Sequence, residues 1–233
     1  VWILVLWVLV PAARDGRAQS NPGKLDYLLA ELHDDLLATW PEQSTLLGYD
    51  SHATRWTDWS AQGLTERRQL FERYLRSLRD IPEAGLPPAS RLNRRLAERA
   101  LLSWIEGLSF DPYYLRLNPV NGLHLEVQQV LQAMPAESIS DYEDILARLR
   151  QLPRLAGETV RLSEEGLAQG WVPPRLVLQE TIRQLDSQLA GSAAASPLFS
   201  KFQRFPGIIP VRDRSRLQRE ANEIYRRRFT PAW

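Results

Sequence analysis

Residues 140–153 read SDYEDILARLRQLP, and this stretch decides the fold class. Ile145, Leu146, Leu149 and Leu152 recur at the spacing that puts side chains on one face of a helix. Ser140, followed three residues later by Glu143, has the form of a capping box. Its hydroxyl would accept from the Glu143 amide while that carboxylate reaches back to the amide of Ser140.

The same period extends in both directions. Toward the N-terminus, Asn21-Pro22 supplies a cap and a first-turn proline. Leu25, Leu28, Leu29, Leu32, Leu36 and Trp40 then share a face, and Pro41 ends the helix. Leu64, Phe71, Leu75 and Leu78 mark a second helix, stopped by Pro82. Leu92, Leu96, Ala100, Leu101, Ile105 and Leu108 mark a third, between Pro87-Pro88 and Asp111-Pro112. Toward the C-terminus, residues 154–169 and 174–190 give two more, the second with Leu178, Ile182, Leu185 and Leu189 as its expected apolar face. In Arg214 to Arg228 the face is Leu217, Ala221, Ile224 and Tyr225. Alternation of period two never runs beyond about four residues, so the chain reads as all-α, a multi-helix bundle-like lobe without a significant sheet. No repeat of solenoid length is visible. Residues 191–196 (GSAAAS) are the expected flexible joint.

Composition closes off several classes of function. With 233 residues, 44% hydrophobic and 24% charged, the chain is neither disordered, collagenous nor a multi-span membrane protein. The absence of cysteine excludes disulfides, thiolate zinc sites, Cys nucleophiles and iron–sulfur clusters within it. Twenty-nine cations nearly cancel 28 acids, so no global charge selects a partner. Lys24 and Lys201 are the only lysines. The arginine bias suits fixed bidentate pairs, and equally suits the base composition of a GC-rich gene.

Val1 to Val10 (VWILVLWVLV) is an unbroken apolar run. Ten residues rise only about 15 Å as a helix, half the hydrocarbon thickness, so no stable membrane span is expected. The run suits the apolar core of a secretory signal, and Gly16 and Ala18 form a small-x-small cleavage site. Residues 1–19 are therefore expected to be a signal peptide truncated at its start, and residues 20–233 a helical lobe exported to the periplasm or beyond the cell. No cysteine follows the run, so a lipid anchor is not expected. At the other end, Phe229-Thr230-Pro231-Ala232-Trp233 reads as a lead into further structure rather than a polar tail.

No catalytic, cofactor-binding or metal-binding residue emerges from local motifs. His33 has Leu37 four residues on, so HExxH is absent. His124 and Glu126 form H-x-E without the cysteines that a deaminase zinc site needs. His52 lies in a polar loop near Asp50 and Asp58, a spacing with no metal specificity. Asp34-Asp35 and Glu164-Glu165 point about 100° apart on their helices and cannot converge on one atom. Phosphate loops and a nucleophile elbow are missing. Phe199, Phe202 and Phe205 interleave with Lys201 and Arg204 as in a single-strand stacking platform, but an export signal argues against nucleic acid as a partner. The most distinctive loop is Asp111 to His124, whose prolines, Asn-Gly pair and tyrosines make a structured connection. Tyr113, Tyr114, Asn118, Asn121 and His124 are its candidate substrate-facing residues.

Several pieces, taken in order, resemble the bacterial domain-of-unknown-function 885 family. They are Pro41-Glu-Gln-Ser-Thr-Leu-Leu-Gly48, Trp56-Thr-Asp58-Trp-Ser60, Asn118-Pro119 with Gly122, Tyr142 to Pro153, Gly166-Leu-Ala-Gln-Gly170 with Pro173, and Pro231-Ala-Trp233. The resemblance implies an exported, largely helical protein grouped with zincin-type metallopeptidases. Its zinc motif, an H-E-x-x-x-H-like helix, would lie beyond this chain, so no catalytic residue is carried over. It further implies that the chain is the N-terminal helical part, partnered by a missing C-terminal half, with zinc only in the full-length protein and a peptide-like substrate. The alternative is a stand-alone exported helical domain that binds a partner or scaffolds an assembly.

Overall fold

The computed structural model describes residues 23–49, 51–109, 112–189 and 191–233, without the side chains of Pro112 and Tyr113. The expected signal segment and the Asn21-Pro22 cap lie outside the described residues. In chain order the helices are α1 (Lys24–Thr39), α2 (Pro41–Leu46), α3 (Ala61–Arg79), α4 (Pro88–Gly107) and α5 (Leu123–Ala133), followed by α6 (Ile139–Arg150), α7 (Leu152–Ala168), α8 (Arg175–Leu189) and α9 (Val211–Ile224). Short 3-10 helices cover Pro112–Leu115 and Pro197–Gln203, and a π-helical turn, Tyr225–Phe229, leads to a last turn at Thr230–Ala232. All regular structure among the described residues is helical, as the periodicity predicts. Prolines set several starts: Pro41, Pro88 and Pro153 sit in first turns, where a missing N–H costs nothing. Pro41 thus ends one helix and opens the next.

The chain divides into two compact units. The first holds described residues up to Thr39 together with Ser60 to Ser109. In it α1, α3 and α4 pack on one another. Leu25, Leu29, Leu32 and Leu36 are buried from α1, and Phe71, Leu75 and Leu78 from α3. Phe71 meets Trp104 with ring centroids 5.5 Å apart. That contact fixes the rotation of α4, whose buried stripe is Arg94, Ala97, Ala100, Leu101 and Trp104. The expected face was wrong at its start: Leu92 and Leu96 are exposed. The stripe passes through an arginine instead, because the Arg94 guanidinium donates to the Ile81 carbonyl (2.8 Å) and to Glu83 (3.0 Å) and so enters the interior satisfied.

The second unit joins residues 40–59 to 112–233. Its core draws on α5, α6 and α7 together with Leu198, Phe199 and Phe202 of the 197–203 turn, Leu217 of α9 and Phe229. The π-helical turn brings Tyr225, Phe229 and Trp233 onto one side. Phe199 stands edge-on to Tyr225 (5.2 Å) and Phe229 (5.6 Å), and Phe229 meets Trp233 at 5.3 Å. Phe199 and Phe202 are therefore core residues and not an open stacking platform. The 191–196 stretch, expected as a flexible joint inside one domain, lies within this unit. Ala193 and Ser196 are buried within this unit, and the Tyr225 hydroxyl donates to the carbonyls of Leu189 and Gly191.

The capping box on α6 is real but begins two residues earlier than the sequence suggests. Ser138, in extended backbone, accepts from the Asp141 amide (3.2 Å). One Asp141 carboxylate oxygen accepts from the amides of both Ser138 and Glu137, each at 2.8 Å. Burial opposes these bonds, yet they hold the Asp141 carboxyl below the usual range. Ser140 already lies inside the first turn. Ser138→Ala is expected to cost about 1 kcal/mol in chemical denaturation, and Ser140→Ala less than about 0.5 kcal/mol.

Candidate functional site

The described residues among 47–59 carry little regular structure, so backbone carbonyls there, and that of Pro41 at the start of α2, draw on side-chain donors. Arg148 supplies them. It replaces an apolar residue one turn after Ile145, inside the α6 stripe, and is fully buried. Its guanidinium donates to the carbonyls of Arg55 (3.0 Å), Pro41 (3.1 Å) and His52 (3.2 Å). It lies 5.0 Å from the Trp56 ring centroid, and the Trp56 indole donates back to the Arg148 carbonyl (3.0 Å). Gln151 adds a bond to the Thr54 carbonyl (2.6 Å). Desolvation lowers the Arg148 pKa to about 10, which still leaves the group charged at neutral pH.

A second buried group surrounds Trp59. Arg116 stacks over the Trp59 ring at 4.1 Å and pairs with Glu126 at 3.1 Å. The Trp59 backbone is held on both sides, its amide by Glu158 (3.1 Å) and its carbonyl by Arg161 (2.7 Å). Glu42, buried at the start of α2, accepts from the Thr57 amide (2.9 Å) and hydroxyl (2.5 Å). Burial lowers the Arg116 pKa against the attraction of Glu126, Glu42 and Glu158. Burial and the Glu42 carboxylate push the Glu126 carboxyl up, to about 7, against the pull of Arg116. Although the Glu126 side chain keeps 35% of its surface exposed, desolvation outweighs attraction on both partners of this ion pair.

The loop residues singled out from sequence are placed differently from one another. Tyr113 falls in the 112–115 turn, and its side chain lies outside the described residues. Tyr114 is buried, packs against Gly166, and its hydroxyl accepts from Gln169 (2.9 Å). Asn118 closes the loop on itself: its carbonyl oxygen accepts from the amides of Val120 (3.1 Å) and Asn121 (2.9 Å), and its amide donates to Leu115 (3.1 Å). Asn121 is exposed. His124 is fully buried, with Nε2 2.7 Å from Gln184 Oε1. Tyr114 and His124 are thus interior residues, while Asn121 is exposed.

Two glycines permit this arrangement. A Cβ on Gly122 would collide with the Asn118 carbonyl, and one on Gly166 would lie 2.8 Å from the Tyr114 Cβ. Sequence reading missed Glu42, Arg116, Glu126 and Glu158 as a group, because they come from segments far apart in the chain. Arg148 had a local signal, a cation on the Ile145–Leu149–Leu152 stripe.

What the cluster can do is chiefly to hold backbone. Three arginines and three glutamates are spent on carbonyls, amides and each other. The buried His124 Nδ1 has no hydrogen-bond partner, and no group of three His, Asp or Glu side chains able to hold a metal occurs among the described residues. A further concavity, an open groove of about 680 Å³, runs beside residues 191–193 and α9, lined by Arg219, Glu223, Arg226 and Arg227. It holds no catalytic constellation.

The family described as "Bacterial protein of unknown function (DUF885)" matches residues 41–233. The chain belongs to that family. Its fold is similar to the crystal structure of "the putative lipoprotein from Colwellia psychrerythraea", with a TM-score of 0.77 and 16% sequence identity. The similarity covers 90% of this chain and 39% of that one, so the chain spans well under half of its solved relative. No curated protein matches the sequence. No described helix is long and apolar enough to cross a membrane.

Two measurements check the cluster. Because the folded Glu126 pKa is raised above its ordinary value, the stability it allows is present below about pH 4.5 and is lost as pH rises through about 7. Glu126→Gln should therefore match the parent's thermal midpoint at pH 5 and exceed it at pH 8; a pH-independent difference would reject the shift. Gly122→Ala should lose about 1–3 kcal/mol by denaturant titration, since backbone stands where the methyl must go.

Proposed function

We propose that this chain is the N-terminal helical part of an exported, zincin-like metallohydrolase directed at peptides, and that residues 20–233 build a wall of the enzyme without its reacting centre. The observation that carries the reading is one of length: family membership spans residues 41–233, while the fold accounts for 39% of a longer solved protein. In that reading the zinc and its activating glutamate belong to chain beyond Trp233. No step of the reaction is assigned to residues here. Asn121, exposed on the loop before α5, is the loop residue best placed to meet substrate. Export rests on the apolar run at residues 1–10 and the small-x-small site before Gln19, treated as a signal removed from a periplasmic or extracellular protein. That the Colwellia protein is described as a lipoprotein supports the same reading.

A second reading is a stand-alone exported helical domain that binds a partner or scaffolds an assembly. The apolar side chains that α8 turns to solvent favour it. Peptide hydrolysis separates the two. The full-length gene product is expected to cleave an unbiased peptide library, to lose that activity to a chelator and regain it with zinc, while the 233-residue chain cleaves nothing. Turnover by the 233-residue chain, or a reading frame that stops at Trp233, would contradict the first reading.

A further inference from the structure

Helix α8 fully buries polar side chains and leaves part of its apolar surface exposed. Its sequence offers Leu178, Ile182, Leu185 and Leu189 at helical spacing, the face expected to be buried. The structure buries Thr181 and Gln188 instead. Gln188 donates to the His124 carbonyl (3.0 Å) and to Gln128 (3.2 Å), Gln184 bonds His124 and the Pro119 carbonyl, and the Trp233 indole donates to Gln188 at 2.8 Å. A polar ladder thus holds the helix to its own unit; Leu178, Leu185 and Leu189 are half-buried, Leu189 against the core, and Leu176 and Ile182 are left exposed. Leu176 is 77% exposed and Ile182 56%. The exposed run begins on α7, with Leu167 at 64%, and continues through Trp171 and Val172 into α8. Single exposed leucines are ordinary, but a run of this kind along one connection and one helix marks an interaction face.

We infer that this face, from Leu167 through Ile182, seats the part of the same polypeptide that follows Trp233. The inference rests on the reading that the chain is the first part of a longer protein. Two observations select this occupant. The solved relative that shares the fold has more than half its length outside the matched portion, so an occupant of sufficient size exists in such proteins. Trp233 is itself anchored on α8 through Gln188, so any chain that continues past it leaves beside this helix. A segment tethered at that point meets the face at high effective concentration, which favours it over a separate partner of equal affinity.

The test uses the full-length gene product carrying a photo-crosslinking benzophenone side chain at position 182. Irradiation is expected to join position 182 to a peptide from beyond Trp233 of the same polypeptide, with the mass of one chain retained. Crosslinks confined to residues 23–233, crosslinks to a second copy, or none at all overturn the inference. A double substitution, Leu176→Asp with Ile182→Asp, adds an independent reading. It is expected to lower the thermal midpoint of the full-length product by several degrees and to leave that of the 233-residue chain unchanged. Equal losses in both would mean a local structural role and no docking. Neither readout uses hydrolysis, so a product that docks but cleaves nothing refutes the metallohydrolase reading alone.

Discussion

The second unit depends on one buried cation. Arg148 gives three hydrogen bonds to carbonyls of a segment with little helix of its own, and lies against the face of the tryptophan that bonds it in return. A guanidinium taken out of water is costly unless its donors are used; here Nε and Nη2 make the three bonds, while Nη1 is buried without a hydrogen-bond partner. Glu42 and Asp144 also help to keep it charged. Lysine, with one nitrogen, could not reach carbonyls of residues 41, 52 and 55 together.

Three of the stretches that carry the family resemblance meet at this lock: Pro41 of the first, Trp56 of the second and Arg148 itself. Glu42, in the first, holds Thr57, in the second, and Trp56 in the second meets Arg148 in the fourth. Asn118 and Gly122 shape the loop that sets Arg116 over Trp59, and Gly166 admits Tyr114. These residues hold backbone and pair buried charge.

The helices were legible because each is long and strongly periodic. What remained hidden had physical causes. Ser138 and Ser140 both precede an acid by three residues, and only the backbone turn at Ser138 decides between them. The face of α4 could not be read from apolar positions alone, since Arg94 enters the interior with its bonds made. In α8 the period is correct but the expected face is only half covered, with Ile182 exposed and Thr181 and Gln188 fully buried: a sequence shows that a helix has an apolar stripe, but not which neighbour is present to cover it. The Arg116 group was beyond reach because its members lie in α2, α5, α7 and the loop before α5, with no local spacing to betray them. Arg148 alone carried a warning in its own helix.

Native-state hydrogen exchange on Arg148→Met puts the role of the buried cation to the proof. Methionine fills much of the same volume and keeps the α6 stripe apolar, but supplies no donors. If the guanidinium holds residues 41–59 in place, their amides should exchange faster by orders of magnitude while those of α6 and α9 keep most of their protection. Unchanged protection across 41–59 would show that packing around Trp56 suffices, and that the buried charge is not what the unit depends on.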